Sequence, residues 1–273
     1  MNQPLVLREI QLPALPAGRE WVPVSHGESG DQVFQRSDRA AYAKISKGKG
    51  VTLLDEERQR TQWLSSFDLG SPTVLDWVVS GDGACLVTSP VPGMPASELS
   101  AKQLGRAWPS IAERVKLLHA IPAGLCPFER GLSTMLGRAE GVVARNAVNP
   151  DFLSPEDQHI PPTALLAALQ GQAHERLEQE IHDLVVCHGD ACMPNFMIDP
   201  DTLSCTGLID LGRLGTADRY VDFALMLANA KETWSGPDEA KAAFKNLFDI
   251  HAISSPDEER LEFYLRLDPL TWG

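Results

Sequence analysis

An aspartate, an asparagine and a second aspartate stand at spacings that could carry a phosphoryl group to a hydroxyl. His188-Gly189-Asp190 runs on to Asn195 in the register H-G-D-x-x-x-x-N, and Ile209-Asp210-Leu211-Gly212 follows. Such a transfer needs one carboxylate to meet the attacking hydroxyl. It also needs a carboxamide and a second carboxylate to hold a divalent cation against the phosphates. An isolated Asp-Gly pair is an ordinary turn, but the flanks here are not ordinary. Leu184-Val185-Val186-Cys187 reads as a buried strand leading into the loop, and Asn195-Phe196-Met197-Ile198 as a second short strand closed by Asp199-Pro200-Asp201. Cys205 to Ile209 reads as a third, ending at Asp210. Asp190 is therefore the predicted base, and Asn195 and Asp210 are the predicted magnesium ligands.

The protein-kinase arrangement of these parts is H-R-D-x-x-x-x-N followed by D-F-G. Here Gly189 replaces the arginine and Leu211 the phenylalanine. The same chemistry asks for a phosphate-binding lysine upstream. Residues 31–36 and 40–46 read as a hairpin around Ser37-Asp38-Arg39, with Lys44 in Ala-Tyr-Ala-Lys-Ile. A lysine in an apolar strand is costly to bury without a partner. Glu57, in the helical stretch Thr52–Leu64, is the expected partner, with Glu56 as the alternative about 100° around the helix. Ser25-His26-Gly27-Glu28-Ser29-Gly30 could fold over phosphates, with Ser29 and Gly30 at the nucleotide. Ser89-Pro90-Val91-Pro92-Gly93 separates a strand-rich half from a helix-rich half. It reads as a hinge, with Ser89 and Val91 at the adenine.

The order of these parts resembles the aminoglycoside phosphotransferase family. The segments that carry the resemblance are Cys126-Pro127-Phe128-Glu129-Arg130, Asn146 to Leu153, Val186 to Met197, Cys205 to Tyr220 and Phe263 to Gly273. They are most similar to the branch that phosphorylates streptomycin at the 3''-hydroxyl. The resemblance implies an α+β, two-lobed, protein-kinase-like fold, with a small antiparallel-sheet N-lobe and a larger, mainly helical C-lobe. It implies ATP and Mg2+ as cofactors and a cationic aminoglycoside as substrate. It places Asp268, Glu232 and Arg213 at the substrate, and gives Asp222 the task of supporting the catalytic loop. Without it, the residues leave open a kinase of choline, a methylthio-sugar or homoserine, or a nucleotide-binding module with no activity.

A chain of 273 residues suits residues 1–88 as a nucleotide-binding lobe, 89–93 as the hinge and 94–273 as the catalytic and substrate lobe. A net charge of −13 argues against nucleic acid or an anionic membrane as partner and is compatible with a cationic substrate. No leader pattern and no membrane-length apolar run is visible, so a cytoplasmic location is expected. Oligomeric state is not legible. Cys85, Cys126, Cys187, Cys192 and Cys205 are expected to be reduced thiols rather than zinc ligands. Ser100 and Gln103 should box the start of a helix whose buried stripe is Leu104, Trp108, Ile111, Val115 and Leu118, with Pro109 kinking or splitting it. Ser255-Pro256-Asp257-Glu258 should cap the last helix, with Leu261, Tyr264 and Leu265 inward. One or two of the many acids between Asn146 and Asp190 could face a guanidinium-bearing sugar.

Overall fold

The computed structural model describes residues 12–15, 18–24, 31–234 and 236–273. Two compact units emerge: Met1–Pro92 with Thr206–Gly212, and Gly93–Cys205 with Arg213–Gly273.

The first unit is an antiparallel sheet with one long helix. Its strands are β1 (Trp21–Pro23), β2 (Gln32–Arg36), β3 (Tyr42–Lys47), β4 (Val74–Ser80) and β5 (Gly83–Thr88), in the order β1-β2-β3-β5-β4. Helix α1 (Gly50–Leu64) lies between β3 and β4 in the chain. Side chains alternate between the faces of a strand, and that alternation sorts the core. Ala43 and Ile45 of β3 join Cys85 and Val87 of β5 in one apolar cluster, while Ala84 and Leu86 of β5 join Leu54 of α1 in another. Lys44 is paired in register with Leu86, so it falls on the α1 side of the sheet. Thr206–Gly212 reaches this unit through a close backbone crossing, where Leu208 N–H donates to Gly70 O at 3.2 Å. Only glycine fits at that crossing, because a Cβ on Gly207 would lie 1.6 Å from Gly70 O.

The second unit is mainly helical. It holds β6 (Met94–Pro95), α2 (Ala101–His119), α3 (Leu132–Ala144), α4 (Pro162–Gln170), α5 (Ala173–Asp183), β7 (Leu184–Cys187) and β8 (Phe196–Ile198). Strand β9 (Cys205–Leu208) leads the chain into the first unit, and β10 (Gly215–Asp218), α6 (Tyr220–Lys231), α7 (Pro237–Ile250) and α8 (Glu258–Leu267) complete the second. Strand β7 pairs antiparallel with β10, and β6 with β8.

Ser100 and Gln103 form the expected capping box of α2. Pro109 lies inside that helix and does not divide it into two, the second of the two outcomes expected of it. Burial of Leu104, Trp108, Ile111, Val115 and Leu118, and the Trp108 Nε1 hydrogen bond to Ala243 O of α7 at 2.8 Å, hold both halves in place. The last helix also corrects the sequence pattern. Asp257, not Ser255, is its cap, accepting from Arg260 N–H. Leu265 is exposed, and Arg260, Phe263, Tyr264 and Leu267 face inward. The Arg260 guanidinium is drawn in by Asp218 and Asp183, and that sets the rotation of the helix. Among the described residues no helix is long and apolar enough to cross a membrane.

Candidate active site

Each unit carries its own part of the predicted chemistry. In the first unit, Leu54, Glu57, Thr61 and Leu64 follow the four-three spacing of one face of α1, and all but Glu57 are fully buried. Glu57 thereby points where Lys44 emerges, and Lys44 Nζ donates to Glu57 Oε2 at 2.8 Å. Glu56 is turned away and pairs with Arg60 at 3.1 Å. Lys44 also lies 3.6 Å from Asp210 Oδ1 and 3.9 Å from Asp31 Oδ2. Burial alone would pull its pKa down, but Glu57, Asp210 and Asp31 outweigh burial and push it up, so the ammonium is held charged. Burial pushes the Glu57 carboxyl up, with Lys44 pulling against it and Asp210 adding to the rise.

Asp210 adopts a left-handed backbone, φ 58°, which aspartate tolerates better than most residues. Its side chain is about half exposed, at 48%. Asp31 is a third carboxylate that sequence pattern did not single out. Ser29 and Gly30 lie outside the described residues. In the hinge, Ser89 N–H donates to Thr73 O at 2.9 Å, and the Ser89 hydroxyl accepts from Thr73 N–H. Pro90 and Pro92 carry no amide hydrogen. The Val91 amide is the donor that remains between Ser89 and Gly93, and the Val91 side chain is buried.

In the second unit, β7 delivers the turn His188-Gly189-Asp190. Asn195 Nδ2 donates to Asp190 O at 2.8 Å and to Asp190 Oδ2 at 3.2 Å. Asp190 N–H donates to His188 Nδ1 at 3.2 Å. Asn195 thus commits its nitrogen to Asp190; the atom a hard cation would take is its oxygen, Oδ1. Beneath the turn lies Asp222, fully buried on α6. Its Oδ2 accepts from His188 N–H at 2.8 Å and its Oδ1 from Gly189 N–H at 2.8 Å. His119 Nε2, at the end of α2, lies 2.9 Å from Oδ2. Burial would raise the Asp222 pKa; the His119 hydrogen bond and charge, with His188 and the Gly189 amide, outweigh it and hold it low. A second brace comes from Asn229, whose Oδ1 accepts from Met193 N–H at 2.7 Å.

Gly189 is required as glycine twice over. Its φ is +76°, and a Cβ would lie 2.2 Å from Arg213 O and 2.5 Å from Arg130 Cδ. Arg130 was visible in the sequence only as part of a motif, without a role. His119 had a signal that was not used, because it falls four residues after Val115 on the buried stripe of α2.

The residues expected at the substrate are not alike. Glu232 is exposed at the end of α6. Arg213 and Asp268 instead pair with each other at 3.1 Å, and Asp268 also takes Arg130 at 3.2 Å and the Trp272 indole N–H at 2.9 Å. Of the acids before the turn, Asp157 binds Arg266 through both oxygens, Glu180 accepts from Leu132 N–H and Asp183 pairs with Arg219 and Arg260. None of the five cysteines is joined in a disulfide among the described residues. Cys187 sits with His119 and Asp222, but its thiol donates to Asp218 O at 3.3 Å and burial pushes its pKa well up, which disfavours the thiolate a metal would need.

Residues 20–264 match the model of the phosphotransferase enzyme family. The chain is 49% identical to a streptomycin 3''-kinase of Streptomyces griseus over 94% of each chain. It is 35% identical to an aminoglycoside 3'-phosphotransferase of Streptomyces fradiae, over 91% of this chain and 94% of that one. Among solved structures, aminoglycoside phosphotransferase APH(3'')-Id from Streptomyces rimosus, in complex with ADP and streptomycin, superposes with a TM-score of 0.87. The two are 49% identical, and the match covers 93% of each chain.

Proposed function

The chain belongs to the phosphotransferase enzyme family, and on that premise we propose that it transfers the γ-phosphate of ATP to the 3''-hydroxyl of streptomycin, inactivating the antibiotic. One observation carries the chemistry: a carboxylate, Asp190, bound to the Asn195 carboxamide on a turn whose two preceding amides are pinned by a buried aspartate. The choice of acceptor is supported by the Streptomyces griseus relative and by the Streptomyces rimosus neighbour with streptomycin bound.

In this proposal Asp190 orients the attacking hydroxyl and takes its proton. The transition state of such transfers is loose, so most of the work is positioning and charge neutralisation. Lys44, aimed by Glu57, contacts the α- and β-phosphates. The adenine edge is read at the hinge, where the Val91 amide is the available donor and Ser89 shapes the turn through Thr73. Asn195 and Asp210 offer oxygen, the donor a magnesium ion takes, and are the proposed ligands; the ion would offset charge on the phosphates. Exposed Glu232 is the proposed contact for a substrate cation. The reaction belongs in the cytoplasm, where ATP is available.

The test is direct. The protein is incubated with streptomycin and Mg-ATP, the product is weighed by mass spectrometry, and NMR locates any phosphate. Addition of one phosphate at the 3''-oxygen is expected. An unchanged antibiotic, or a phosphate on choline, a methylthio-sugar or homoserine instead, would overturn the assignment.

A further inference from the structure

The space beside the catalytic turn is filled from elsewhere in the chain. The stem of Arg130, from the segment before α3, lies where a side chain on residue 189 would begin, its Cδ and Nε only 2.5 and 2.6 Å from that Cβ position. Arg130 is 5% exposed, and its Nε has no hydrogen-bond partner among the described residues. Among the described residues its one ion pair is with Asp268 Oδ1, and that oxygen is shared with Arg213. Arg213 is itself held by the C-terminal segment, donating to Thr271 Oγ1 at 3.0 Å and stacking 3.3 Å from the centroid of the Trp272 ring. Two guanidiniums therefore face one carboxylate. Arg138 adds a third positive charge to their surroundings, and Asp190, next in the chain to Gly189, is a carboxylate whose field reaches both Arg130 and Arg213.

We propose that Arg130 is a positioning residue for Asp190. Its stem sets the Gly189 turn, and its charge, only partly neutralised by the shared Asp268, balances the Asp190 carboxylate. Asp268 then acts through Arg130 and Arg213 rather than as a ligand of a substrate cation. Both of its oxygens already have donors, as a residue of that task requires. The inference rests on Asp190 as the group that meets the hydroxyl, and it gives the arginine that the H-G-D turn lacks a replacement from a distant part of the chain.

Steady-state kinetics on the full chain separate the possibilities. Arg130→Met keeps the stem and removes the charge; Arg130→Lys keeps a charge and loses the fork. Arg130→Met is expected to lower kcat roughly 10- to 100-fold, the scale of a displaced reacting group, with both KM values little changed. Arg130→Lys should recover a measurable part of kcat. Asp268→Asn keeps the Arg130 side chain but removes the charge that holds it, and should also lower kcat while the streptomycin KM holds. Equal kcat in the two Arg130 variants, or kcat at the parental level in Arg130→Met, would overturn the proposal. So would an Asp268→Asn variant with a raised streptomycin KM and unchanged kcat, the signature of a direct ligand. A parent protein without turnover on streptomycin would instead remove the function itself, and this inference with it.

Discussion

Asp222→Asn tests whether the catalytic turn is held by charge or merely by shape. The aspartate is fully buried and receives three contacts, from His188 N–H, Gly189 N–H and His119 Nε2. Asparagine is nearly isosteric but has one acceptor oxygen. If that oxygen sits at the Oδ2 position, it keeps His188 and His119 and turns an NH2 group toward the Gly189 amide. If it sits at Oδ1, it keeps Gly189 and turns the NH2 toward His188. Either way a buried backbone donor faces another donor.

A hydrogen bond to a charged group is worth about 1.5–3 kcal/mol, and leaving a buried donor unsatisfied costs about 1–3 kcal/mol. Part of this is offset because a buried charge is also removed. A net loss of about 2–4 kcal/mol is expected, which at about 2–4 °C per kcal/mol for a chain of this class lowers Tm by roughly 5–15 °C. The Gly189 amide belongs to the turn that carries Asp190, so kcat should fall roughly 10- to 100-fold. Both KM values should move little. The assay is calorimetric unfolding with steady-state kinetics well below the variant's Tm. A variant that melts within about a degree of the parent and keeps kcat within about twofold would refute the view that the Asp222 charge organises the turn.

Three further outcomes are expected. Lys44→Met should cost roughly 100-fold or more in turnover and lower the melting temperature, since Glu57 is left among Asp31 and Asp210 without a counter-charge; adding Glu57→Gln should restore melting but not turnover, and restored turnover would remove the phosphate role of Lys44. Asp190→Asn should lower kcat by roughly 10²–10⁴ with nucleotide binding intact, whereas Asp210→Asn should weaken magnesium-dependent nucleotide binding measured by calorimetry; the reverse pattern would exchange the two roles. Burial, reinforced by His119, lowers the His251 pKa from 6.5 to about 3; below about pH 6.5 the unfolded chain takes a proton that the folded chain refuses, so stability should fall as pH drops toward 3. The melting temperature of His251→Gln should fall less than the parent's between about pH 7 and 5, and parallel curves would contradict this.

The parts of the site legible in the sequence are those set by local periodicity. Alternation in β3 puts Lys44 opposite the Ala43 and Ile45 cluster, and helical spacing puts Glu57 on the stripe of Leu54 and Leu64, so their meeting follows from two short patterns. The same logic failed in α8, where apolar spacing favoured Leu265 inward. Two carboxylates, Asp218 and Asp183, drew Arg260 into that face instead. Periodicity weighs hydrophobic burial and has no access to a distant counter-charge. Gly189 shows the limit most clearly. A glycine where the kinase pattern has arginine registers in the sequence as a missing side chain, and its φ of +76° explains why the backbone requires it. What fills the space is Arg130, and what holds Arg130 is Asp268, 138 positions along the chain. No spacing rule links them. A guanidinium at this turn is thus supplied by tertiary packing rather than by the motif itself, so changing Arg130 or Asp268 should disturb Asp190 while the H-G-D motif stays intact.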